Sequence, residues 1–452
     1  MEQTTIVKTE NHWVEAVQIA WPAVLESFFL AMAGVIDTIM IASIGTYAVA
    51  AVGLTSQPKF LMLSIFIAIS VAVSALVARR KGQEDQVSAN ETLVTSLFLA
   101  LGFCVIITLI SLFFANPILH LAGSNEETHE AATMYFRIIM GGIFCNIGAM
   151  IINASQRGSG NTRIAFTTNL VSTIINICGN WLLIGGRLGF PKLGIQGAAI
   201  ATVFGSFVAL CLSVSSLFRK SSFVRIRFIL ERNIKATLKT VKNIFHLASS
   251  IFLENIAMRI GFVVTAFLAA RLGTEQFAAH QVGMNMLMIG FSFADGMQVA
   301  AVALTGRALG SGDKTLAKQY GLICQRIGFC ISIALSAFLF FLGEAVFRLY
   351  FDTDAVLQYS SLISHFIMIV VLAQISQVIF GGCLRAAGDV KYTLFVSIVS
   401  VTLIRSVVTI VLVLYLQWGL AGIWLGILSD QVSRLLFMSI RYMQGKWVDL
   451  TI

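Results

Sequence analysis

A succession of apolar runs, each about 20 residues long, constrains this 452-residue chain more than any other feature. The runs are centred near residues 28, 65, 103, 142, 173, 206, 257, 292, 329, 369, 403 and 430. Only 12% of the residues are charged, whereas soluble domains have about 25%. A membrane β-barrel would instead show short segments of alternating hydropathy. We therefore predict an all-α integral membrane protein with twelve transmembrane helices.

Lys and Arg are distributed unevenly between the two sets of connections. Twenty-one lie in the terminal tails and in the connections that follow the even-numbered spans. Five lie in the opposite connections, and these are Lys59, Arg187, Lys192, Arg271 and Arg348. The positive-inside rule predicts a multi-pass protein of the cytoplasmic membrane with both termini in the cytoplasm. The formal charge of +9 then reflects this orientation, and no nucleic-acid partner is expected.

The two halves of the chain resemble each other at an offset of 228 residues. "LESFFLAMAG" from Leu25 matches "LENIAMRIGF" from Leu253, and "QRGSGNTR" from Gln156 matches "LRAAGDVK" from Leu384. Later still, "LGIQG" matches "WGLAG" after a three-residue shift. The chain is therefore an internal duplication.

Six spans per copy is an even number, so both copies enter the membrane in the same direction, as a parallel pseudo-two-fold repeat. We predict an N-terminal six-helix bundle over residues 1–218 and a C-terminal six-helix bundle over residues 244–452. Residues 219–243 are expected to form a basic amphipathic linker on the cytoplasmic side.

A single carboxylate, Asp37, interrupts the first apolar span, and the repeat has Thr265 at the equivalent position. A charge at mid-membrane costs at least roughly 2.5 kcal/mol, and the first span contains no Lys or Arg to offset it. Loss of hydration favours a neutral carboxyl group, so Asp37 is expected to bind and release a proton at working pH. Alternatively, Asp37 is an inert residue near the outer end of the span, bonded to neighbouring backbone.

Four asparagines are the polar companions of Asp37 in this half. Asn176 and Asn180 lie four residues apart on one face of the fifth span, and Asn146 and Asn153 lie on the fourth. Together they are predicted to line a wet cavity that contacts the substrate. An asparagine taken alone more often forms a hydrogen bond that joins neighbouring helices.

Pro22 lies in the first span, where its ring frees the carbonyl of Gln18. We predict that it acts as a hinge of that helix. Glu26 and Glu254 occupy equivalent positions of the repeat, which favours a structural role over ion binding. In that role each carboxyl group would compensate backbone groups freed by a kink.

The C-terminal half carries several further charges within its spans. They are Arg259, Asp295, Arg405, Asp430 and Arg434. Their nearly balanced signs predict that they pair with one another.

Methionine and phenylalanine crowd the segment "HQVGMNMLMIGFSF", which begins at His280. This pattern is typical of helix packing, and equally of an adaptable wall for apolar cations. The candidate substrate-lining residues are Met258, Gln281, Met284 and Met288.

No pattern indicates an enzyme, a metal site or a cofactor. "LGSGDKT" has Asp313 where the phosphate loop GxxxxGK[ST] requires glycine. The seven cysteines and six histidines are scattered and lack ligand or catalytic spacing. Transport would therefore have to be driven by an ion gradient, in which each proton provides roughly 2.3 kcal/mol per 100 mV.

The combination of a parallel six-helix repeat, "VIDTIMIASIG" in the first span, "LGTEQFAAHQ" after the seventh, and the paired loops "QRGSGNT" and "LRAAGDV" resembles the multidrug and toxic compound extrusion (MATE) family. The resemblance covers almost the whole chain. It implies an exporter that exchanges protons or sodium for amphipathic, usually cationic, small molecules by alternating access. Separately, membrane lipids are the expected surroundings and a monomer the expected state.

The resemblance also implies roles for particular residues. Asp37 matches the family's acidic residue on helix one, and Asn176 and Asn180 match polar positions of the N-terminal cavity. One branch has an acid at the position of Asn180, and another coordinates sodium with acids at the positions of Met258 and Gln374. The chain therefore looks closer to the DNA-damage-inducible branch, with a proton expected in preference to sodium.

Two other kinds of transport protein remain as alternatives. A lipid-linked precursor flippase would need a cationic cleft, to which Arg259 and Arg405 would contribute. A channel is less compatible with two duplicated bundles than a transporter whose bundles rock.

Overall fold

The structure is a computed structural model that describes residues 2–348 and 357–450. Over those residues it consists of helices and connecting turns, without a strand. Eleven described helices are long and apolar enough to cross a membrane, or twelve if one bent pair counts as a single span. The predicted all-α membrane class is confirmed.

Helices of the first half coincide with the predicted spans. In chain order they are α1 (Glu2–Ala42), α2 (Thr46–Gly82), α3 (Gln86–Phe113), α4 (Ala115–Leu121), α5 (His129–Gly141), α6 (Ile143–Gly158), α7 (Thr162–Gly185) and α8 (Ile195–Ser216). A 3-10 turn, Arg187–Gly189, precedes α8.

Helices of the second half begin with a short one. They are α9 (Ile226–Glu231), α10 (Leu238–Arg271), α11 (Thr274–Gly310), α12 (Lys314–Arg348), α13 (Ser360–Ala387), α14 (Val390–Tyr415) and α15 (Gly419–Gln444). Within α14 the stretches Ile398–Arg405 and Val411–Tyr415 are π-helical, and a 3-10 turn, Lys446–Asp449, follows α15.

Contacts within the chain divide it into two units. The N-terminal unit is Phe28–Ala248, and the C-terminal unit combines the residues up to Ser27 with those from Ser249 onward. The division therefore falls inside α1 and inside α10. The predicted bundles, 1–218 and 244–452, were defined by the sequence repeat. A division by contacts does not test where the repeat begins and ends, so these bounds stay a prediction.

The predicted linker, residues 219–243, contains α9 and the start of α10. Several hydrogen bonds attach it to α3 of the N-terminal unit. The Arg225 backbone N–H donates to Asn90 Oδ1 at 2.9 Å, and Gln86 Nε2 donates to the Phe223 carbonyl at 2.7 Å. The linker is thus packed against the helices that it follows.

The fourth predicted span is broken. Helices α5 and α6 meet at Gly142 with a bend of 46°. A Cβ atom on Gly142 would lie 2.3 Å from Val203 Cγ1, so only glycine lets α8 approach this closely. By the repeat offset the counterpart of this break lies in α13, which is continuous from Ser360 to Ala387.

Lys59 does not lie in an outer connection, and that expectation is wrong. It lies inside α2, one residue after Pro58. The apolar run continues on both sides of this pair, so the helix extends from Thr46 to Gly82. Proline is tolerated inside membrane helices because neighbouring groups satisfy the backbone that it frees.

The first part of α1 is held in the C-terminal unit. The Glu15 carboxylate accepts hydrogen bonds from Arg307 and from the Tyr320 hydroxyl. Further along, a Cβ on Gly296 of α11 would lie 2.4 Å from Val24 Cα, so the two backbones are in direct contact. Pro22 is buried close to that contact, and α1 continues through it.

A buried ion-pair network lies inside the C-terminal unit and confirms the expected pairing of three residues. Asp430 is 0% exposed and accepts from Arg405 Nη1 at 3.0 Å and from Arg434 Nη2 at 2.6 Å. The Arg405 guanidinium also lies 4.7 Å from the ring centroid of Phe262. One carboxylate thus bridges two guanidinium groups, and the three side chains together carry one net positive charge.

Glu254 belongs to a second buried cluster of the C-terminal unit. Its carboxylate accepts from Arg385 Nη2 at 2.8 Å, from Thr393 Oγ1 at 3.1 Å and from Ser397 Oγ at 2.9 Å. These partners are side chains of α13 and α14, so the expectation that Glu254 compensates backbone freed by a kink is wrong, and its structural role stays a prediction. Asp295 is within electrostatic range of the same Arg385.

We predict that Asp430→Asn strongly destabilises the protein. The substitution leaves two buried guanidinium groups without a counter-charge, which should cost roughly 3–5 kcal/mol. The measurement is the melting temperature of the purified protein in detergent. Asp449→Asn is the matched control, because Asp449 pairs with Lys314 at an exposed site and its loss should change little. Equal melting temperatures for the two variants would contradict the account.

Candidate ion-coupling and substrate site

Asp37 of α1 is half-buried and lies against α7 of the same N-terminal unit. Asn180 Nδ2 donates a hydrogen bond to Asp37 Oδ1 at 2.8 Å. Asn180 is 1% exposed, so the amide is a fixed part of the protein interior. The alternative expectation was that Asp37 bonds to neighbouring backbone. Its hydrogen bond comes instead from a side chain in a distant part of the sequence.

Asn176 reaches the same carboxylate when its amide nitrogen faces Asp37. In this orientation Nδ2 lies 2.9 Å from Asp37 Oδ1 and 3.2 Å from Oδ2. The amide oxygen then accepts from Thr202, at 3.1 Å from both Oγ1 and the backbone N. We assign this orientation because it satisfies donors and acceptors together, whereas the opposite one faces like groups with like. The carboxylate therefore accepts from two amides one helical turn apart.

Close packing of α7 and α8 fixes the position of these amides. Ser172 Oγ donates to the Gly205 carbonyl at 2.7 Å. A Cβ on Gly205 would lie 3.2 Å from Asn176 Cβ, so the small residue lets the helices approach. Thr202, one turn before Gly205, is thereby brought within hydrogen-bonding distance of Asn176.

A cavity of about 100 Å³ lies beside this carboxylate–amide group. Its lining combines polar and apolar side chains with the glycine of the broken span. The lining residues are Lys59, Leu63, Ile139, Gly142, Ile143, Asn146, Thr202, Val203 and Ser206. Thr202 lines the cavity and also contacts Asn176, so the Asp37 contact lies next to the cavity, although Asp37 itself is not one of the lining residues. The volume suffices for the polar end of a ligand.

Lys59 is the functional candidate that the sequence patterns missed. Its ammonium interacts electrostatically with Asp37, and its side chain lines the cavity. Over the residues that the structure describes, no ion pair within 4.0 Å joins the two. One signal was available, since Lys59 is a single charge within an apolar run that extends well beyond Pro58 on both sides.

The remaining sequence candidates are distributed over both units. Asn146 is exposed on the cavity wall, whereas Asn153 is 1% exposed and accepts from Ser213 Oγ at 3.0 Å, which joins α6 to α8. In the C-terminal unit Gln281 and Met288 are exposed and Met284 packs against the core. None of these three side chains lines the cavity of about 100 Å³ described above.

The C-terminal copy has a closed counterpart of the Asp37 contact. Thr265, which the repeat aligns with Asp37, accepts from Arg405 Nε at 2.9 Å. With the three-residue shift that aligns "LGIQG" with "WGLAG", Arg405 is the residue equivalent to Asn180. The same two positions thus contact each other in both copies, with an amide and a carboxylate in one and a guanidinium and a hydroxyl in the other.

Met258 and Gln374 lie at the two positions where a sodium-binding branch is expected to have acids. Arg434 Nη1 lies 3.8 Å from Met258 Sδ, and Gln374 is fully buried. Neither position offers a carboxylate to a cation. Among the described residues, no group of three or more His, Cys, Asp or Glu side chains is arranged to hold a metal ion.

Comparison with known proteins gives matches over nearly the full chain. The Probable multidrug resistance protein NorM of Thermotoga maritima is 25% identical over 437 residues, covering 96% of this chain and 92% of that protein. The Uncharacterized transporter YisQ of Bacillus subtilis is 22% identical, covering 99% and 98%.

Solved structures match the fold. A MATE protein described as being in the straight conformation gives a TM-score of 0.89 at 23% identity, covering 96% of this chain and 97% of that one. A MOP superfamily transporter from Pyrococcus furiosus, described as having a binding pocket of reverse polarity, gives 0.90 at 22%, covering 97% of each. The MatE family profile matches residues 22–182 and 250–411, one segment in each copy of the repeat. The chain therefore belongs to the MatE family.

Proposed function

We propose that the protein is a secondary active multidrug exporter that exchanges protons for amphipathic or cationic compounds by alternating access. One observation carries the proposal, namely a carboxylate inside a membrane helix that accepts from two amides beside a polar cavity. The relative from Thermotoga maritima, named as a probable multidrug resistance protein, supports the cargo class. We place it in the cytoplasmic membrane, as a lipid-embedded monomer with cytoplasmic termini.

Protonation of Asp37 is the step that couples the ion to the cargo. An ionised Asp37 accepts from Asn176 and Asn180, and these charge-assisted bonds hold α1 against α7. A proton on the carboxyl removes the charge and turns one acceptor oxygen into a donor, which faces amide N–H groups. The contact is weakened, and the outer part of α1 is released.

Pro22 is the proposed hinge for that release. The inner part of α1 is tied to α11 and α12 through Glu15, and its outer part is tied to α7 through Asp37. The contact division between Ser27 and Phe28 falls five residues after Pro22. Bending near Pro22 would change the outer part while Glu15 holds the inner part.

Competition between proton and cargo then gives antiport. A cationic group that binds near ionised Asp37 loses its counter-charge when the carboxyl group is protonated. Because coupling is reciprocal, bound cargo must lower the proton affinity by the same factor. Asn146 is the proposed cargo contact of the cavity wall, with Asn153 supporting it from the interior. The proposed cargo contacts of the C-terminal unit are Gln281, Met284, Met288 and Met258.

A proton is the proposed coupling ion, in keeping with the DNA-damage-inducible branch. Sodium prefers oxygen ligands, and the positions of the C-terminal sodium acids hold Met258, which contacts Arg434, and the amide Gln374. A lipid-linked precursor flippase receives less support. Arg405, needed for its cationic cleft, is 1% exposed and is paired with Asp430.

Asp37→Asn should abolish proton-driven export and preserve the fold. Asparagine has nearly the same shape but cannot alternate between charged and neutral forms. Export of a fluorescent cationic dye from reconstituted vesicles should fall to the level of protein-free vesicles, while the melting temperature stays near that of the native protein. Asp449→Asn, which is far from the cavity in sequence and exposed, serves as the control. Native export rates in the Asp37 variant would refute the coupling role.

The coupling ion can be read from imposed gradients. Vesicles loaded with dye should show transport against its gradient under an opposing proton gradient at equal sodium on both sides. A sodium gradient at equal pH should leave dye movement at the passive rate. Driven transport by sodium alone would overturn the choice of proton.

A further inference from the structure

Lys59 takes up no proton in the proposed coupling step, yet it acts electrostatically on Asp37 and lines the adjacent cavity. It is half-buried within α2, and its side chain lines the cavity with Asn146, Thr202 and Ser206. Throughout the described ranges, residues 2–348 and 357–450, no hydrogen bond or ion pair within 4.0 Å satisfies its ammonium group. A lysine with three N–H donors thus borders a cavity without a protein acceptor.

Keeping that charge inside a membrane helix is costly. Insertion of a central lysine costs at least roughly 2.5 kcal/mol, and such residues normally pair with a neighbour or serve a ligand. The opposite charge that acts on Lys59 through space is Asp37, whose hydrogen bonds come from amides. The lysine is therefore available to an anionic group that enters the cavity.

Lys59 lines the cavity, and Asp37 lies next to it, behind Asn176 and Thr202. Thr202 links them, because it lines the cavity with Lys59 and contacts Asn176, which reaches Asp37. A ligand with a single positive charge gains from Asp37 but is repelled by Lys59. A ligand that carries both signs satisfies both groups, and its charges need not be desolvated without a partner.

We propose that this cavity binds the charged end of zwitterionic amphipathic compounds, with Lys59 holding an anionic oxygen such as a carboxylate and Asp37 holding the cationic nitrogen. The inference rests on the proposed function, because it takes this cavity as the cargo site. The volume of about 100 Å³ matches a charged end, and the apolar remainder extends beyond it.

With a zwitterionic ligand, protonation of Asp37 still weakens cargo binding, as in the proposed function. The site then carries one net positive charge, so the cationic nitrogen of the ligand loses its partner and is repelled by Lys59. The titratable groups that face the region are Asp37 on α1, Lys59 on α2 and Tyr135 on α5, which is close to Thr202. Helices α6, α7 and α8 contribute neutral amides and hydroxyls to it.

A pair of dyes that differ in one charge tests the proposal. Rhodamine B has a cationic ring system and a free carboxylate at neutral pH, and its ethyl ester has the cation alone. Affinity is measured by fluorescence polarisation on the purified protein in detergent. The native protein should bind the acid about tenfold more tightly than the ester, the effect of one charge-assisted hydrogen bond.

Three variants assign that preference to one side chain. Lys59→Met should remove the preference for the acid or reverse it, whereas Lys59→Arg should keep it. Lys192→Met, on an exposed loop of the same unit, should behave like the native protein. Equal affinity of the native protein for the two dyes overturns the proposal without any variant, and so does an unchanged preference in Lys59→Met.

Transport by the same protein separates this inference from the proposed function. Both dyes are followed in vesicles under an imposed proton gradient. Preferential binding of the acid without driven transport of either dye would reject the exporter and leave the Lys59 assignment standing. Driven transport of both dyes without a Lys59-dependent preference in binding would reject the assignment and leave the exporter standing.

Discussion

The contact between Asp37 and the two amides of α7 is the interaction on which the functional account depends. A carboxylate in a membrane helix is tolerable only when its lone pairs are satisfied, and Asn176 and Asn180 supply donors from one face of α7. The close approach of α7 and α8 at Gly205 fixes those donors. The contact responds to a single proton because that proton changes the charge and the donor pattern at once.

The two halves of the repeat have different residues at one pair of contacting positions, and the two contacts differ in their exposure to solvent. In the C-terminal unit Arg405 contacts Thr265, and Asp430 and Arg434 complete a network that is almost inaccessible to solvent. In the N-terminal unit the half-buried Asp37 contacts the buried Asn180, and a cavity lined in part by Gly142 and Thr202 lies next to this contact. The first network suits a rigid unit, and the second retains groups that a ligand or a proton can reach.

Hydropathy and the repeat predicted the helices well, because a membrane span must be long, apolar and internally hydrogen-bonded. Helical spacing also put Asn176 and Asn180 on one face. The sequence predicted Lys59 in an outer connection, whereas the apolar run continues on both sides of Pro58 and Lys59 and forms one helix. The bend at Gly142 was not predicted either, since it depends on how closely Val203 of α8 approaches, which is a tertiary contact.

Infrared difference spectroscopy of the Asp37 carboxyl group tests the central claim most directly. The account predicts a protonated-carboxyl band that grows as the pH falls, that is absent from Asp37→Asn, and that diminishes when a cationic or zwitterionic dye binds. A carboxylate that stays ionised throughout the physiological pH range, or a band that dye binding does not change, would contradict it.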